Sequence, residues 1–212
     1  MYSAVSRKRE KQKTRAERSE EIKQALLRAA IKVVGEDGYA AASIAKIAAE
    51  AGVAHGTFYN YYAAREDIFQ EILPALGDLL LARIAGDTSH ISDPAERETA
   101  RISSYFDFLV EHPGFYRILN EAETFCPEVH QAHFQRLADG YVRTLRRSLQ
   151  AGHLSGFTES ELEALAYMLM GARDYLTFRY GGLDKESGDL AAAMSAYSKL
   201  LGHGLFALHR KS

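Results

Sequence analysis

The segment from Ser43 to Tyr62, SIAKIAAEAGVAHGTFYNYY, constrains this chain more tightly than any other part of it. Ile44, Ile47, Ala48 and Ala51 recur at helical spacing, which gives a short helix one apolar face. Ser43 precedes that run and can cap it, its side-chain oxygen accepting a free backbone N–H. Gly52 follows the last periodic residue, where a left-handed backbone ends a helix at low cost. Val53 fills the angle, and a second short helix is expected to start near Ala54. The pattern is a helix-turn-helix, whose second helix can lie in the major groove of DNA. Helical hairpins of this shape also occur in proteins that bind no nucleic acid, so the side chains must decide.

Those side chains suit a base-reading surface. Gly56 lets the backbone approach a base edge closely, and Tyr59, three positions on, lies on the same face. His55 and Asn60 flank that face as donors and acceptors. Phe58 and Tyr62, four apart, form the opposite face and should pack inward.

The run from Gly52 to Tyr62, followed by Arg65-Glu66-Asp67-Ile68-Phe69, resembles the signature of the tetracycline-repressor (TetR) family of bacterial transcriptional regulators. The preceding Ile22, Ala29-Ala30, Gly38-Tyr39 and Ser43 match the family's first helix and its exit. The resemblance is specific over about residues 20 to 70 and architectural beyond. The chain has Tyr62 where the family usually has Phe, Arg65 where it has Lys, and Ala54 where it has Ser. By position, the resemblance implies that His55, Gly56 and Tyr59 meet bases. It also implies that Ser43, Thr57, Asn60, Tyr61 and Arg65 hold phosphates, with Ala54 at the start of the contact surface but lacking a capping hydroxyl.

The net charge of −2 at pH 7 looks unfavourable for DNA until it is divided. Residues 1–70 carry 12 Lys/Arg against 9 Asp/Glu, whereas residues 71–212 carry 14 against 19. The positive balance lies with the hairpin, as phosphate contact requires. Cys126 is the single cysteine, which excludes an internal disulfide. No apolar run approaches the roughly 18 residues of a membrane helix and no signal peptide is evident, so a cytoplasmic location is expected.

The chain reads as all-α, about nine helices in all, with no stretch alternating at period two. A flexible basic arm is expected over 1–17, carrying Arg7, Lys8, Arg9, Lys11, Lys13 and Arg15, either a solvated tail or a nonspecific DNA contact. A three-helix helix-turn-helix domain follows over 18–64, its first helix running from about Arg18 to Glu36. A ligand-binding and dimerisation bundle occupies 65–212. Its first helix should run from near Ala64 into the low eighties, with Pro74 a candidate kink, before a turn at Gly86-Asp87-Thr88-Ser89. Further helices are expected to start at Pro94, about residue 115, Cys126-Pro127, Thr158 and Asp189, the last reaching Leu208.

The final two helices carry wide apolar seams and are expected to form a two-fold dimer interface. The residues chosen for it are Leu162, Leu165, Leu169, Leu176, Met194, Tyr197, Leu201 and Leu205. The resemblance also implies a ligand cavity in the middle of the bundle. Aromatic and adaptable residues there include Tyr105, Phe125, Met168, Tyr175 and Phe178. The residues chosen as cavity candidates are Phe106, Phe115, Tyr116, Asn120, Glu121, His133, Phe134, Tyr141, Met170, Arg173 and Asp174. Arg173 interrupts an apolar helix, so it either pairs with a carboxylate or anchors an anionic effector such as an acyl or aryl acid or its thioester.

Cys126, His130 and His133 are spaced so that a zinc site, or a cysteine nucleophile with a histidine base, can be drawn. Pro127 puts Cys126 off the helix and no third catalytic group accompanies the pair, so neither metal, cofactor nor enzymatic activity is expected. The expected function is a ligand-responsive repressor that binds a palindromic operator as a homodimer and is released by a small lipophilic effector. The alternative is a small-molecule-binding or catalytic helical protein whose hairpin is vestigial.

Overall fold

The computed structural model describes residues 14–154, 156–180 and 189–205, with Leu205 described by its backbone alone. The amino-terminal residues of the expected arm and Leu208 lie outside that range. The helices are α1 Arg15–Asp37, α2 Ile44–Glu50, α3 His55–Phe58, α4 Arg65–Thr88, α5 Pro94–Glu111, α6 Phe115–Phe125, α7 Pro127–Gln150, α8 Leu162–Tyr180 and α9 Leu190–Leu200. A 3-10 turn, Glu159–Glu161, leads into α8, and a π-helical turn, Leu201–Leu205, continues α9. There is no strand among the described residues, and none of their helices is long and apolar enough to cross a membrane.

Local chemistry accounts for the ends that differ from the sequence pattern. Helix α1 starts at Arg15 rather than Arg18 because Thr14 closes a capping box. The Glu17 N–H donates to Thr14 Oγ1 (3.2 Å) and the Thr14 N–H to the Glu17 carboxylate (2.7 Å). Helix α4 runs on to Thr88, through residues expected to turn. Asp87 accepts from Arg83 Nε (3.0 Å) and from Ser104 Oγ of α5 (2.6 Å), while the Thr88 hydroxyl donates to the Ile84 carbonyl (2.7 Å). Pro74 lies on the exposed side of α4, which continues through it.

One apolar core runs from end to end, with α4 as its spine. Leu26, Ala30, Ile47 and Phe58 fill the head formed by α1 to α3, and α4 adds Ile68, Phe69, Ile72, Leu76 and Leu80. Ile102, Phe108, Phe115, Ile118, Leu137 and Leu162 continue the core into the body. Burial of each of these Leu, Ile and Phe side chains is worth about 1.5–3 kcal/mol.

The seam expected for the dimer faces inward instead. Leu162, Leu165, Leu169, Tyr197 and Leu201 are buried in their own chain, and Leu176 and Met194 are half-buried, so little of their area is free for a partner. The exposed apolar face of α8 is the other one, made of Tyr167, Met168 (67% exposed), Tyr175 (78%) and Phe178 (77%). Met168, Tyr175 and Phe178 therefore do not line a cavity. Helix α8 is apolar nearly all round, so its periodicity does not set which face turns inward.

Head and body meet where α6 crosses the end of α1. Gly35 and Gly114 touch backbone to backbone; a Cβ on Gly114 would stand 2.5 Å from Gly35 Cα. Arg117 donates to the Glu36 carbonyl, and the Tyr39 N–H donates to Glu121 Oε2 (2.8 Å). Gly38, at φ 85°, ends α1 with its Cα against that same carboxylate, where a side chain would be both strained and blocked. The Tyr39 ring is held edge-on by Phe69 (4.9 Å) and stacked on Phe125 (5.6 Å). Gly114 has an ordinary φ of −78°, so Gly114→Ala tests the close approach alone. It should cost about 1–3 kcal/mol in denaturant unfolding.

Candidate nucleic-acid interface and ligand cavity

The hairpin forms as the sequence predicts. Ser43 caps α2, accepting from the Lys46 N–H (3.3 Å), and Gly52 takes φ 69°. Helix α3 is a single turn, extended by turn-type bonds from the Asn60 N–H to Thr57 and from the Tyr61 and Tyr62 N–H groups to Phe58. Phe58 and Tyr62 are buried. The Tyr62 hydroxyl donates to Glu71 Oε2 (3.1 Å), giving a role to the oxygen that a Phe would lack.

Ala54, His55, Gly56, Tyr59 and Asn60 are exposed, with Tyr59 open over 51% of its surface and its ring 5.6 Å from that of His55. A shallow notch lined by Ser43, Ala45, His55, Tyr59 and Arg65 brings four of the expected DNA contacts onto one surface. Thr57 and Tyr61 are half-buried outside its lining, and the Ser19 hydroxyl donates to Tyr61 Oη (3.3 Å). Arg65 is more committed than its sequence context implies. Its Nη1 donates to the Ala42 carbonyl (2.9 Å), it pairs with Glu66 (3.2 Å), and its guanidinium lies over the Phe69 ring. Arg65 thus ties the start of α4 to the entry of α2.

The expected ligand residues do not share one site. Tyr141 and Arg173 line a cavity of about 180 Å³ between α4, α5, α7 and α8, with Leu81, Ile84, Ala85, Thr88, Arg101, Tyr105, Leu137 and Gly140. Phe115 and Tyr116 line a separate open groove, where Ile31 and Gly35 of α1 meet the α5–α6 corner. Phe106 and Met170 are core residues. Asn120 is exposed, its amide donating to the Tyr116 carbonyl (2.7 Å), and Glu121 belongs to the joint with the head. His133 packs against Gly77 of α4, where a Cβ would meet Nδ1 at 2.9 Å, and the Phe134 ring meets His130 at a tilt and His133 edge-on.

Cys126 is buried at the α6–α7 corner, and burial pushes its thiol pKa up, away from nucleophilic character. No three His, Cys, Asp or Glu side chains among the described residues converge as a metal site.

Arg173 is buried, with Nε and Nη2 both on Asp174 Oδ1 (3.0 and 2.7 Å) and its guanidinium 4.7 Å from the centre of the Tyr105 ring. A second buried charge, Glu98, is not among the residues expected at the site. Glu98 accepts from Arg101 (2.7 Å), from Tyr141 (3.2 Å) and from Tyr197 of α9 (3.4 Å). Burial pushes its carboxyl above the usual range, against the pull of Arg101 and the two hydroxyls. The signal was present: Glu98 is in register with Ile102, Tyr105 and Leu109 on the apolar stripe of α5.

Residues 26–72 match the model for bacterial regulatory proteins of the tetR family. The fatty acid metabolism regulator protein of Bacillus subtilis is 26% identical over 189 residues, covering 85% of this chain and 93% of the relative. The fatty acid degradation regulator FadR of Bacillus halodurans superposes with a TM-score of 0.72 at 21% identity, over 86% of this chain and 99% of that one. FadR of Bacillus subtilis in complex with stearoyl-CoA gives 0.70 at 22%, over 84% and 97%. The head and the bundle thus have the fold of these regulators, and the head carries the match to the tetR-family model.

His133 supplies a test of the body's packing. Burial first, then the positive charge of Arg173, lowers its pKa from 6.5 to about 4. As pH falls from 6.5 towards 4, the unfolded chain takes up a proton at this site and the folded one does not. Stability should therefore fall across that window by on the order of 3 kcal/mol, with no penalty above it. His133→Leu should flatten the slope, measured as urea midpoints against pH.

Proposed function

We propose that this protein is a repressor that binds a two-fold-symmetric operator as a homodimer and releases it when a small lipophilic effector occupies the cavity between α4, α5, α7 and α8. The observation that carries the reading is the solvent-facing constellation of Ala54, His55, Gly56, Tyr59 and Asn60, backed by the inward-packed Phe58 and Tyr62. Such a surface serves no purpose in the fold. A Cβ on Gly56 would meet nothing within 4 Å, so the chain's own packing does not require glycine there. Close approach to a base does.

His55, Gly56 and Tyr59 read bases in this proposal. Ser43, Thr57, Asn60 and Tyr61 approach phosphates, with Arg65 holding the frame that presents them. A pair of such heads reads half-sites about 34–36 Å apart. The pairing surface is the exposed stripe Tyr167, Met168, Tyr175 and Phe178 of α8, joined by Leu200 of α9 (66% exposed). Large apolar groups left open on one helix face mark an association surface. An effector that prefers the wrongly spaced dimer lowers operator affinity, and the operator lowers effector affinity by the same factor.

Two measurements test this. In fluorescence anisotropy with its own upstream DNA, Gly56→Ala and Tyr59→Ala should each weaken specific binding by about tenfold or more. Their melting temperatures should not fall, Ala being the better helix former at 56. Equal affinity for scrambled DNA removes the repressor reading. In light scattering, Met168→Asp with Tyr175→Asp should convert a dimer to single chains that no longer retain the operator. A wild-type protein that is monomeric in solution contradicts the pairing.

A further inference from the structure

The cavity between α4, α5, α7 and α8 is chemically lopsided. Leu81, Ile84, Ala85 and Leu137 give it apolar walls, while its polar lining includes Arg101 and Arg173 and no acid. Arg173 is the more deeply buried of the two cations. Its hydrogen bonds among the described residues go to a single oxygen of its chain neighbour Asp174, and Nη1 takes no part in them. The guanidinium lies over the face of the Tyr105 ring, whose buried hydroxyl, with Thr177 as its polar neighbour, makes no formed hydrogen bond among the described residues. The neighbouring Thr177 hydroxyl donates to the Arg173 carbonyl (2.8 Å). Glu98 cannot serve either donor, being occupied by Arg101, Tyr141 and Tyr197.

Buried donors without acceptors are costly, and a guanidinium N–H and a hydroxyl lining the same cavity can each serve one oxygen of a single carboxylate. The volume of about 180 Å³ lies below the roughly 300–1,000 Å³ of pockets that enclose drug-sized ligands, so the body attached to that carboxylate is compact.

We infer that the effector is a small apolar carboxylic acid, short-acyl or aryl, whose carboxylate is held by Arg173 Nη1 and the Tyr105 hydroxyl with its body along Leu81, Ile84 and Leu137. The inference rests on the reading of this cavity as the effector site. It differs from a thioester reading in requiring a free negative charge at the buried end of the ligand.

The test uses the full chain, with octanoate and phenylacetate as acid probes, 1-octanol and methyl phenylacetate as neutral ones, and octanoyl-CoA as the thioester, all measured by calorimetry. At least one acid should bind about tenfold or more tighter than its neutral counterpart. Tyr105→Phe, which keeps the ring and removes only the unpartnered hydroxyl, should lose about tenfold of that affinity. Arg173→Lys should lose more, since an ammonium cannot supply the fork. The inference is overturned by equal binding of acids and neutral analogues, by binding of the thioester alone, by unchanged acid affinity in Tyr105→Phe, or by no binding of any probe. Operator binding measured on the same preparation separates the two ideas. DNA binding without acid binding removes this inference and leaves the repressor. Acid binding without DNA binding does the reverse.

Discussion

Helix α6 is fastened to the end of α1 by its own side chains and by a backbone contact that no Cβ would permit. Arg117 holds the Glu36 carbonyl, Glu121 holds the Tyr39 N–H, and Gly114 rests on Gly35 between them and the core. The last turn of an α-helix leaves carbonyls unsatisfied, and here the body satisfies one of them for the head. At the Gly114 end α6 begins with Phe115, whose ring meets Phe108 (5.2 Å) and Tyr105 (6.3 Å). Tyr105 lines the cavity, so cavity wall and head both bear on the first turn of one 11-residue helix. Interfaces packed this closely do not deform gradually, which is the property a coupling element needs.

The polar groups buried in the body are hard to explain as stabilising devices. Taking a guanidinium or carboxylate out of water costs several kcal/mol, and an apolar pair of similar volume would serve the fold as well. Glu98 recovers part of that cost through three donors from α5, α7 and α9, which ties those helices into one register. Arg173 recovers less, from one carboxylate oxygen and the face of Tyr105.

Much of the head could be read from the residues in order, because its signals are local. The Ser43 cap, the Gly52 stop and the inward pair Phe58 and Tyr62 each depend on neighbours within a few positions. Helix boundaries in the body also followed local chemistry at Pro94 and Pro127. They failed where side chains from elsewhere intervened, as at Asp87, whose Ser104 partner lies on another helix. The candidate ligand residues were chosen by aromatic and polar composition, which marks a region and not a wall. Two of the eleven, Tyr141 and Arg173, line the cavity, while Glu121 and Asn120 lie elsewhere on α6. Arg101 and Tyr105 complete its polar side, and neither belonged to that chosen set.

The amino-acid order by itself therefore determined the class of fold, the helix-turn-helix and the residues it exposes, since capping, turning and amphipathic spacing act over a few residues. Only the tertiary structure decided which face of α8 is open, where Glu98 and Arg173 find partners, and how Gly35 meets Gly114. Those outcomes depend on which surfaces meet after long loops close, and a helix that is apolar all round carries no local mark of its neighbour.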